Sequence, residues 1–388
     1  MKKILVIAAV SLAATSAFAS KARLTALGSA AHLDDAQNIF LNPAQISVLG
    51  EWATFEFGSN AYDYTAGTAN PSNVSGNEGG FVRTSGDAYY GAYLGHKDAG
   101  QLLLRAVSNA FTAQDVLNEE NPIELIYGTK VGDLTYAGSL VYSNSDKKNT
   151  KQKQSTTGVR LGAKASTWDA YVNIGLVGTG KNDTTASSET DFKSTLSYAL
   201  GGSYTLDSLY IFGTTSAAKS KTTVGTTDSS DLEYTDYSFG VVNSHKKDGH
   251  EFFYGVSYLS KTLKNKVGTG TKGELTALPV LIGVEAEAAS WLVLRASVTQ
   301  NVLIGSILDE NAGTGTGLLT SATAKAEKDT LNDSTTVAAG AGLKFGKLLV
   351  DGTLSAAGNG GYLTTGEGNA TKTSNYALLS NVSLTYTF

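Results

Sequence analysis

The sequence predicts a transmembrane, up-and-down antiparallel β-barrel of about sixteen strands, fourteen being the other possible number, with a short helical segment before the first strand. Two patterns predict it: apolar and polar residues alternate with period two along the chain, and short turns alternate with long loops. The charge content agrees, because 17% of the 388 residues are charged, whereas a soluble domain has about 25%. After the first twenty residues, no segment has the roughly 20 consecutive apolar residues that a spanning helix needs.

The first residues have the pattern of an export signal. Lys2 and Lys3 precede an apolar run over residues 4–14, and Ala17-Phe18-Ala19 is a small-x-small cleavage sequence. We therefore expect residues 1–19 to be a signal peptide that is cleaved before Ser20. The chain then divides into this peptide, an N-terminal segment over residues 20–50 and a barrel over residues 51–388.

The alternation is clearest in the last strand, where Val382, Leu384, Tyr386 and Phe388 share one face. Most of the candidate strands have about ten residues, the length that a tilted transmembrane strand needs. The longest loops are expected near 59–86 and 302–333. The predicted strands lie near 52–58, 87–96, 100–108, 122–131, 133–144, 154–165, 167–178, 193–204, 207–216, 233–244, 249–261, 276–288, 290–301, 334–345, 347–356 and 376–388.

The final residues resemble the signal read by the outer-membrane barrel assembly machinery. This resemblance rests on an alternating apolar strand that ends in Phe388, with Tyr386 two positions earlier. Together with the signal peptide, it implies the cell outer membrane as the location. The expected partners are then the assembly machinery, outer-membrane lipid and lipopolysaccharide.

The segment before the first strand contains the step Asp34-Asp35-Ala36 and the motif Asn42-Pro43-Ala44. Asp34 can cap a short helix, which should stop before Asn42-Pro43 because the residue before proline avoids helical angles. In these motifs the segment resembles the FadL-like outer-membrane transporters of long-chain fatty acids. The resemblance implies a hatch inside the barrel with Asp34, Asp35, Asn42, Pro43 and Ala44 in the lumen. A periplasmic arm is the alternative, and the family's fourteen strands differ from the sixteen counted here.

The polar faces of the strands predict a charged, wet lumen. Charged side chains at mid-depth on the lipid side would cost roughly 2–4 kcal/mol each for Arg or Lys, so they are expected to point inward. The predicted pore-lining residues are Glu56, Arg105, Lys130, Arg160, Lys164, Lys193, Asp236, Glu251, Glu285 and Glu287. The basic residues precede the last four acidic residues along the chain, which predicts a field across the pore.

Composition excludes several other kinds of function. There is no Cys, which excludes a thiolate metal site and a cysteine nucleophile, and the four His do not have metal-ligand spacing. We find no catalytic set and expect no enzyme activity, no metal and no cofactor. The net charge of −5 argues against binding to nucleic acid.

The main functional hypothesis is a porin-like channel for passive diffusion of small hydrophilic solutes and ions, and the oligomer considered for it is a homotrimer. The alternatives are a FadL-like transporter of hydrophobic molecules such as long-chain fatty acids, and a structural or adhesive surface barrel. The pore constriction is expected from the N-terminal hatch or from loop 59–86.

Overall fold

The structure is a computed structural model that describes residues 20–58, 77–112, 116–184, 189–268, 270–309, 325–330, 335–358 and 381–388. The predicted signal peptide lies outside these ranges, as do residues 59–76 of the predicted loop 59–86 and residues 310–324 and 331–333 of the predicted loop 302–333. Residues 376–380 of the predicted last strand also lie outside them. In the described ranges no helix is both long and apolar enough to cross a membrane.

Two α-helices and eighteen strands are formed by the described residues. The helices are α1, Lys21–Ala26, and α2, Ala99–Ala110. The strands are β1 Trp52–Gly58, β2 Glu78–Ser85, β3 Ala88–Leu94, β4 Ile123–Val131, β5 Leu134–Lys147, β6 Gln152–Lys164, β7 Trp168–Asn182, β8 Thr190–Ser194, β9 Ser197–Leu206, β10 Leu209–Val224, β11 Thr227–Lys247, β12 His250–Asn265, β13 Thr271–Ala289, β14 Leu292–Asp309, β15 Lys325–Thr330, β16 Thr336–Phe345, β17 Leu348–Gly358 and β18 Asn381–Thr387.

The strands close into an antiparallel barrel of sixteen positions. Strands β8 and β9 lie end to end between β7 and β10, and β15 and β16 lie end to end beside β14, so eighteen strands fill sixteen places. Pairing of β1 with both β2 and β18 closes the wall. The predicted fold class and strand number are therefore confirmed.

The two faces of the wall differ as the alternation predicts. On β1, Phe55 is 58% exposed on the outer face, whereas its neighbour Glu56 is 2% exposed on the inner face. The outer face carries many other exposed aromatic and aliphatic side chains, including Tyr127, Phe239 and Phe252. Because such a continuous apolar surface is stable only in contact with lipid, the wall spans a membrane.

Two errors in the predicted strands cancel in the count. The predicted strand near 100–108 is helix α2, because its residues are good helix formers and Asp98 Oδ1 caps the helix by accepting from Gln101 N at 3.0 Å. Strand β2 lies inside the predicted loop 59–86. It was missed because it begins with Glu78-Gly79-Gly80, and consecutive glycines are typical of loops. The sum of sixteen was right although two elements were wrong.

The turns define two ends of the barrel. Short turns join β2 to β3, β4 to β5, β6 to β7, β9 to β10, β11 to β12, β13 to β14 and β16 to β17, and this side is called the short-turn end. Phe388 lies there too, donating its backbone N–H to the Glu51 carbonyl at 3.1 Å. The opposite side is the long-loop end, where the chain between β3 and β4 contains α2.

Candidate functional site: the closed lumen

Residues 20–50, called the hatch, lie inside the barrel at the short-turn end. Helix α1 contacts β14, β16, β17 and β18, and the 3₁₀ turn Pro43–Ser47 contacts β4, β5 and β6. The lumenal hatch implied by the family resemblance is therefore present. Its apolar side chains pack on the inner wall, where Ile39, Phe40 and Ile46 meet Trp52 and Ile126.

Short polar residues start each hatch turn. Asp35 Oδ1 accepts from Gln37 N at 2.9 Å and begins the 3₁₀ turn Ala36–Phe40. The cap is Asp35 and not the predicted Asp34, because the turn begins one residue later than expected. As predicted, this turn ends before Asn42, which caps the next turn through Oδ1 to Ala44 N at 3.0 Å, with Pro43 at its first position.

A buried ion network, called the latch, holds the hatch to the wall. Arg23 of α1 donates to Glu285 through Nε at 2.8 Å and Nη2 at 3.1 Å. Arg295 bridges Glu285 at 2.6 Å and Asp351 at 2.5 Å, and Ser20 Oγ donates to Asp351 at 2.9 Å. Asp35 Oδ2 also lies 3.7 Å from Arg23 Nη1, so every buried charge of the network faces an opposite charge, which is the arrangement that makes buried charge tolerable.

Further polar contacts join the hatch to other parts of the wall. Lys21 Nζ lies 2.6 Å from Glu78, and His32 Nε2 lies 2.9 Å from Glu251. Burial raises the pKa of Asp35 to about 7, although the neighbouring Arg23 lowers it. The hatch is therefore tied to the wall on several sides.

The Asn42-Pro43 turn sits directly on a glycine of the wall. Asn42 Nδ2 donates to Asp169 at 3.3 Å, and a Cβ on Gly162 would lie 1.9 Å from Asn42 Oδ1. A glycine is needed here because any side chain would occupy the space of the hatch.

We expect Gly162→Ala to undock this part of the hatch. Faster hydrogen exchange of residues 36–47 in the folded barrel is the measurement. The control is Gly213→Ala on β10, where an added Cβ has its nearest neighbour at 3.9 Å. Equal exchange in the two variants would show that the close contact at Gly162 does not hold the hatch.

Helix α2 occupies the lumen towards the long-loop end. Its Leu104 and Val107 pack with Phe192, Leu232 and Leu263 of the wall. This apolar surface is contributed by four separate segments of the chain, and it fills the space that an open channel would leave to water.

Arg105 is on this helix and is completely buried. Its guanidinium donates to the Leu117 carbonyl at 2.8 Å and the Thr179 carbonyl at 2.9 Å, and lies 4.7 Å from the Phe192 ring centre. Burial lowers its pKa to about 10, so it stays charged at neutral pH. Burial also raises the pKa of the nearby Glu119 to about 7.

Arg160 of β6 connects the two lumenal segments. Its guanidinium donates to the Phe40 carbonyl of the hatch and lies 3.6 Å from Asp98, the capping residue of α2. Its Nε lies 3.1 Å from Glu124 of the wall. One wall residue therefore contacts the hatch, α2 and a neighbouring strand.

The structure places most of the predicted pore-lining residues on the inner face, where several of them bind other side chains of the protein. Glu56 accepts from Ser383, Asp236 from Ser216, and Glu287 from Lys344. Lys164 lines a cavity at the short-turn end, and Lys130 is exposed at the end of β4.

Two of the predicted pore-lining residues are not part of the inner wall. Arg105 belongs to α2, because the predicted strand there is a helix. Lys193 is exposed on the outer face, since Phe192 takes the inner position of β8 with 0% exposure. Arg160 and Glu285 each lie against opposite charges, which reduces their share of the field across the pore, and that field stays a prediction.

The described residues around these segments enclose several cavities, of which three are relevant to the lumen. Two lie at the short-turn end, one of about 760 Å³ beside His32, Lys164 and Asp169, and one of about 370 Å³ beside Glu285 and Glu287. The third, about 150 Å³, lies between α2 and the wall and is called the helix pocket. It is lined by residues that include Gln101, Val141, Arg160, Asn173, Tyr198 and Ala218.

Sequence reasoning missed Asp98, Gln101 and Glu119. The signal that could have found them is an aspartate directly before a run of good helix formers, Ala99-Gly100-Gln101-Leu102. In the described ranges, no group of three or more His, Asp or Glu is placed to hold a metal ion.

No family model matches the chain, and no curated protein matches it. Among solved structures, it is similar to OmpT of Vibrio cholerae, at 12% identity and a TM-score of 0.37, over 87% of this chain and 95% of that one. It is also similar to the toluene transporter TbuX of Ralstonia pickettii, at 12% identity and a TM-score of 0.40, over 95% of this chain and 98% of that one. A third similar structure is the toluene transporter TodX of Pseudomonas putida, at 10% identity and a TM-score of 0.37, over 96% of this chain and 97% of that one. At these low identities and TM-scores the similarities assign no function to this chain. The conclusion that its barrel spans a membrane comes from the alternation and exposure of its own residues.

Proposed function

We propose that this chain is an outer-membrane channel for small, largely apolar molecules, closed at rest by its hatch. The observation that carries the proposal is that hatch and α2 both pack against the inner wall, with Arg160 contacting both. A diffusion porin needs a continuous column of water along the axis. We therefore favour the hydrophobic-transport alternative over the porin hypothesis.

The character of the inner wall supports this choice. Beside α2 the lumen surface is formed by Phe192, Leu232, Leu263 and Leu275, which offer hydrophilic solutes no hydrogen bonds. Most of the charged residues that face inward are engaged in ion pairs or hydrogen bonds, namely Glu56, Arg160, Asp236, Glu251, Glu285 and Glu287. An apolar molecule enters contact with these apolar side chains without a desolvation penalty. A hydrated sugar or ion must first lose bound water, which costs free energy.

The outer-membrane location is part of the proposal. The apolar outer wall requires a bilayer, and β-barrels with short turns at one end and long loops at the other are typical of outer membranes. Four expectations from the sequence stay predictions: the export signal over residues 1–19, contacts with lipopolysaccharide, the assembly signal at Tyr386 and Phe388, and a homotrimer.

Uptake by a Gram-negative host that lacks its own transporter for the probes tests the proposal. Cells that express the full chain should take up radiolabelled toluene at least several times faster than cells with an empty vector, with unchanged arabinose uptake. Faster arabinose uptake with unchanged toluene uptake would favour the porin. No change in either probe would favour a structural barrel.

A further inference from the structure

Ser20, the first described residue of the hatch, is held through both its backbone and its side chain. Its backbone N–H donates to Asp35 Oδ2 at 3.1 Å, and its hydroxyl donates to Asp351 Oδ2 at 2.9 Å. The same hydroxyl oxygen accepts from Arg23 N at 2.9 Å, and the Ser20 carbonyl accepts from Leu24 N at 2.9 Å. Helix α1 therefore starts from a fixed point inside the barrel, where Ser20 contacts both the hatch and the wall.

The charges around this point are unequal in number. Two guanidinium groups lie against three carboxylates: Arg23 and Arg295 against Asp35, Glu285 and Asp351. Arg23 is engaged mainly with Glu285, at 2.8 Å, and its nearest atom to Asp35 is 3.7 Å away. Burial raises the pKa of Asp35 to about 7, which agrees with too little positive charge beside this carboxyl. One more cation next to Asp35 would balance the network.

Removal of the predicted signal peptide supplies such a cation at this place. Hydrolysis of the Ala19–Ser20 peptide bond by a signal peptidase consumes one water, releases the peptide with the Ala19 carboxylate, and leaves a primary amine on Ser20. An unperturbed α-amino group has a pKa of about 7.7–8.0, so it is mostly protonated at neutral pH. Its nitrogen is the atom that already lies 3.1 Å from Asp35 Oδ2. The hydrogen bond to Asp35 then becomes a charge-assisted one, which is roughly twice as strong as a neutral one.

We propose that Asp35 and the latch form a binding site for a primary ammonium group, the one that cleavage creates at Ser20, and that this ion pair anchors the hatch. The docked hatch then depends on processing at one bond. A chain that begins at another residue, or whose first amine is acylated, should have a looser hatch. This inference rests on the predicted cleavage before Ser20. It goes beyond the proposed function, because the anchor does not depend on which molecule the barrel transports.

Hydrogen exchange tests the anchor in two refolded forms of the chain that begins at Ser20, one with a free amine and one acetylated on that amine. Acetylation removes the terminal charge but keeps an N–H donor. The amides of α1 and of the 3₁₀ turn Ala36–Phe40 should exchange at least about tenfold faster in the acetylated form, because a buried ion pair loses one partner. Heat-modifiable migration in gels verifies that both forms are folded.

Asp35→Asn separates the charge of the amine from the bulk of the acetyl group. In this variant two guanidinium groups face two carboxylates, so acetylation should change the exchange rates by less than about twofold. The control is Asp34→Asn, which alters the neighbouring, exposed aspartate. Arg23 contacts Asp34 only through its backbone carbonyl, so this variant should keep the tenfold effect.

N-terminal sequencing of the chain purified from the membranes of a Gram-negative host should begin at Ser20. The anchor is overturned if the chain begins at another residue or if acetylation leaves the exchange rates unchanged. It is also overturned if acetylation has the same effect in Asp35→Asn and Asp34→Asn, since the bulk of the acetyl group would then be the cause. None of these outcomes depends on uptake of toluene or arabinose, so failure of the anchor is distinguishable from failure of the proposed channel.

Discussion

Deletion of residues 21–48 should convert the closed barrel into an open one. A wall of sixteen strands without a plug encloses an aqueous channel. This deletion removes α1, both 3₁₀ turns and Arg23, which binds Glu285 in the latch. Single-channel conductance in a planar bilayer should rise by about tenfold or more over the full chain. Arabinose entry should rise with it.

The deletion leaves Glu285 without Arg23, so a point variant is needed beside it. Ile46→Glu places a charge at a hatch position with 0% exposure, among apolar wall residues, and should undock the hatch in an otherwise complete chain. Heat-modifiable migration in gels verifies that each barrel is folded. If both folded variants conduct like the full chain, the barrier is α2 and the hatch is not the gate.

The barrel was predictable because alternation is a local property. In β18 the residues Val382, Leu384 and Tyr386 form one face whatever lies elsewhere, and the structure places them on the outer wall. Helix α2 has one local signal, Asp98 before a run of good helix formers, but its apolar pattern does not decide between helix and strand. Leu102, Leu104 and Ala106 fit an alternating strand as well as a helix, and the choice depends on apolar wall residues that lie far away in the sequence.

The site was less predictable than the barrel, because it depends on long-range pairing. Arg23 binds Glu285 across 262 positions, and no local pattern indicates that partner. The separation of basic and acidic residues along the chain suggested a field, but the hatch and wall bring opposite charges into contact. The hatch motifs were predictable only by resemblance, since Asn42 and Gly162 reveal their fit only when the barrel is closed.

Replacement of Arg295 by Met should be among the most destabilising changes in the wall. Its side chain is 1% exposed and binds Glu285 and Asp351. Removal of one partner from a buried ion pair leaves an uncompensated charge and costs about 3–5 kcal/mol. We expect this loss in the free energy of unfolding, measured by denaturant titration of the refolded barrel in lipid vesicles.

Two variants separate the buried charge from a general effect of losing a cation. Lys221→Met breaks an ion pair with Asp228 at 2.8 Å in which both side chains are about half exposed. Because exposed pairs contribute little, this variant should lose no more than about 1 kcal/mol. Adding Asp351→Asn to Arg295→Met removes one stranded carboxylate and should recover part of the loss, because Glu285 keeps Arg23 as its partner. An Arg295→Met barrel as stable as Lys221→Met would mean that water reaches Glu285 and Asp351, and the latch would then lack the dry environment that makes it strong.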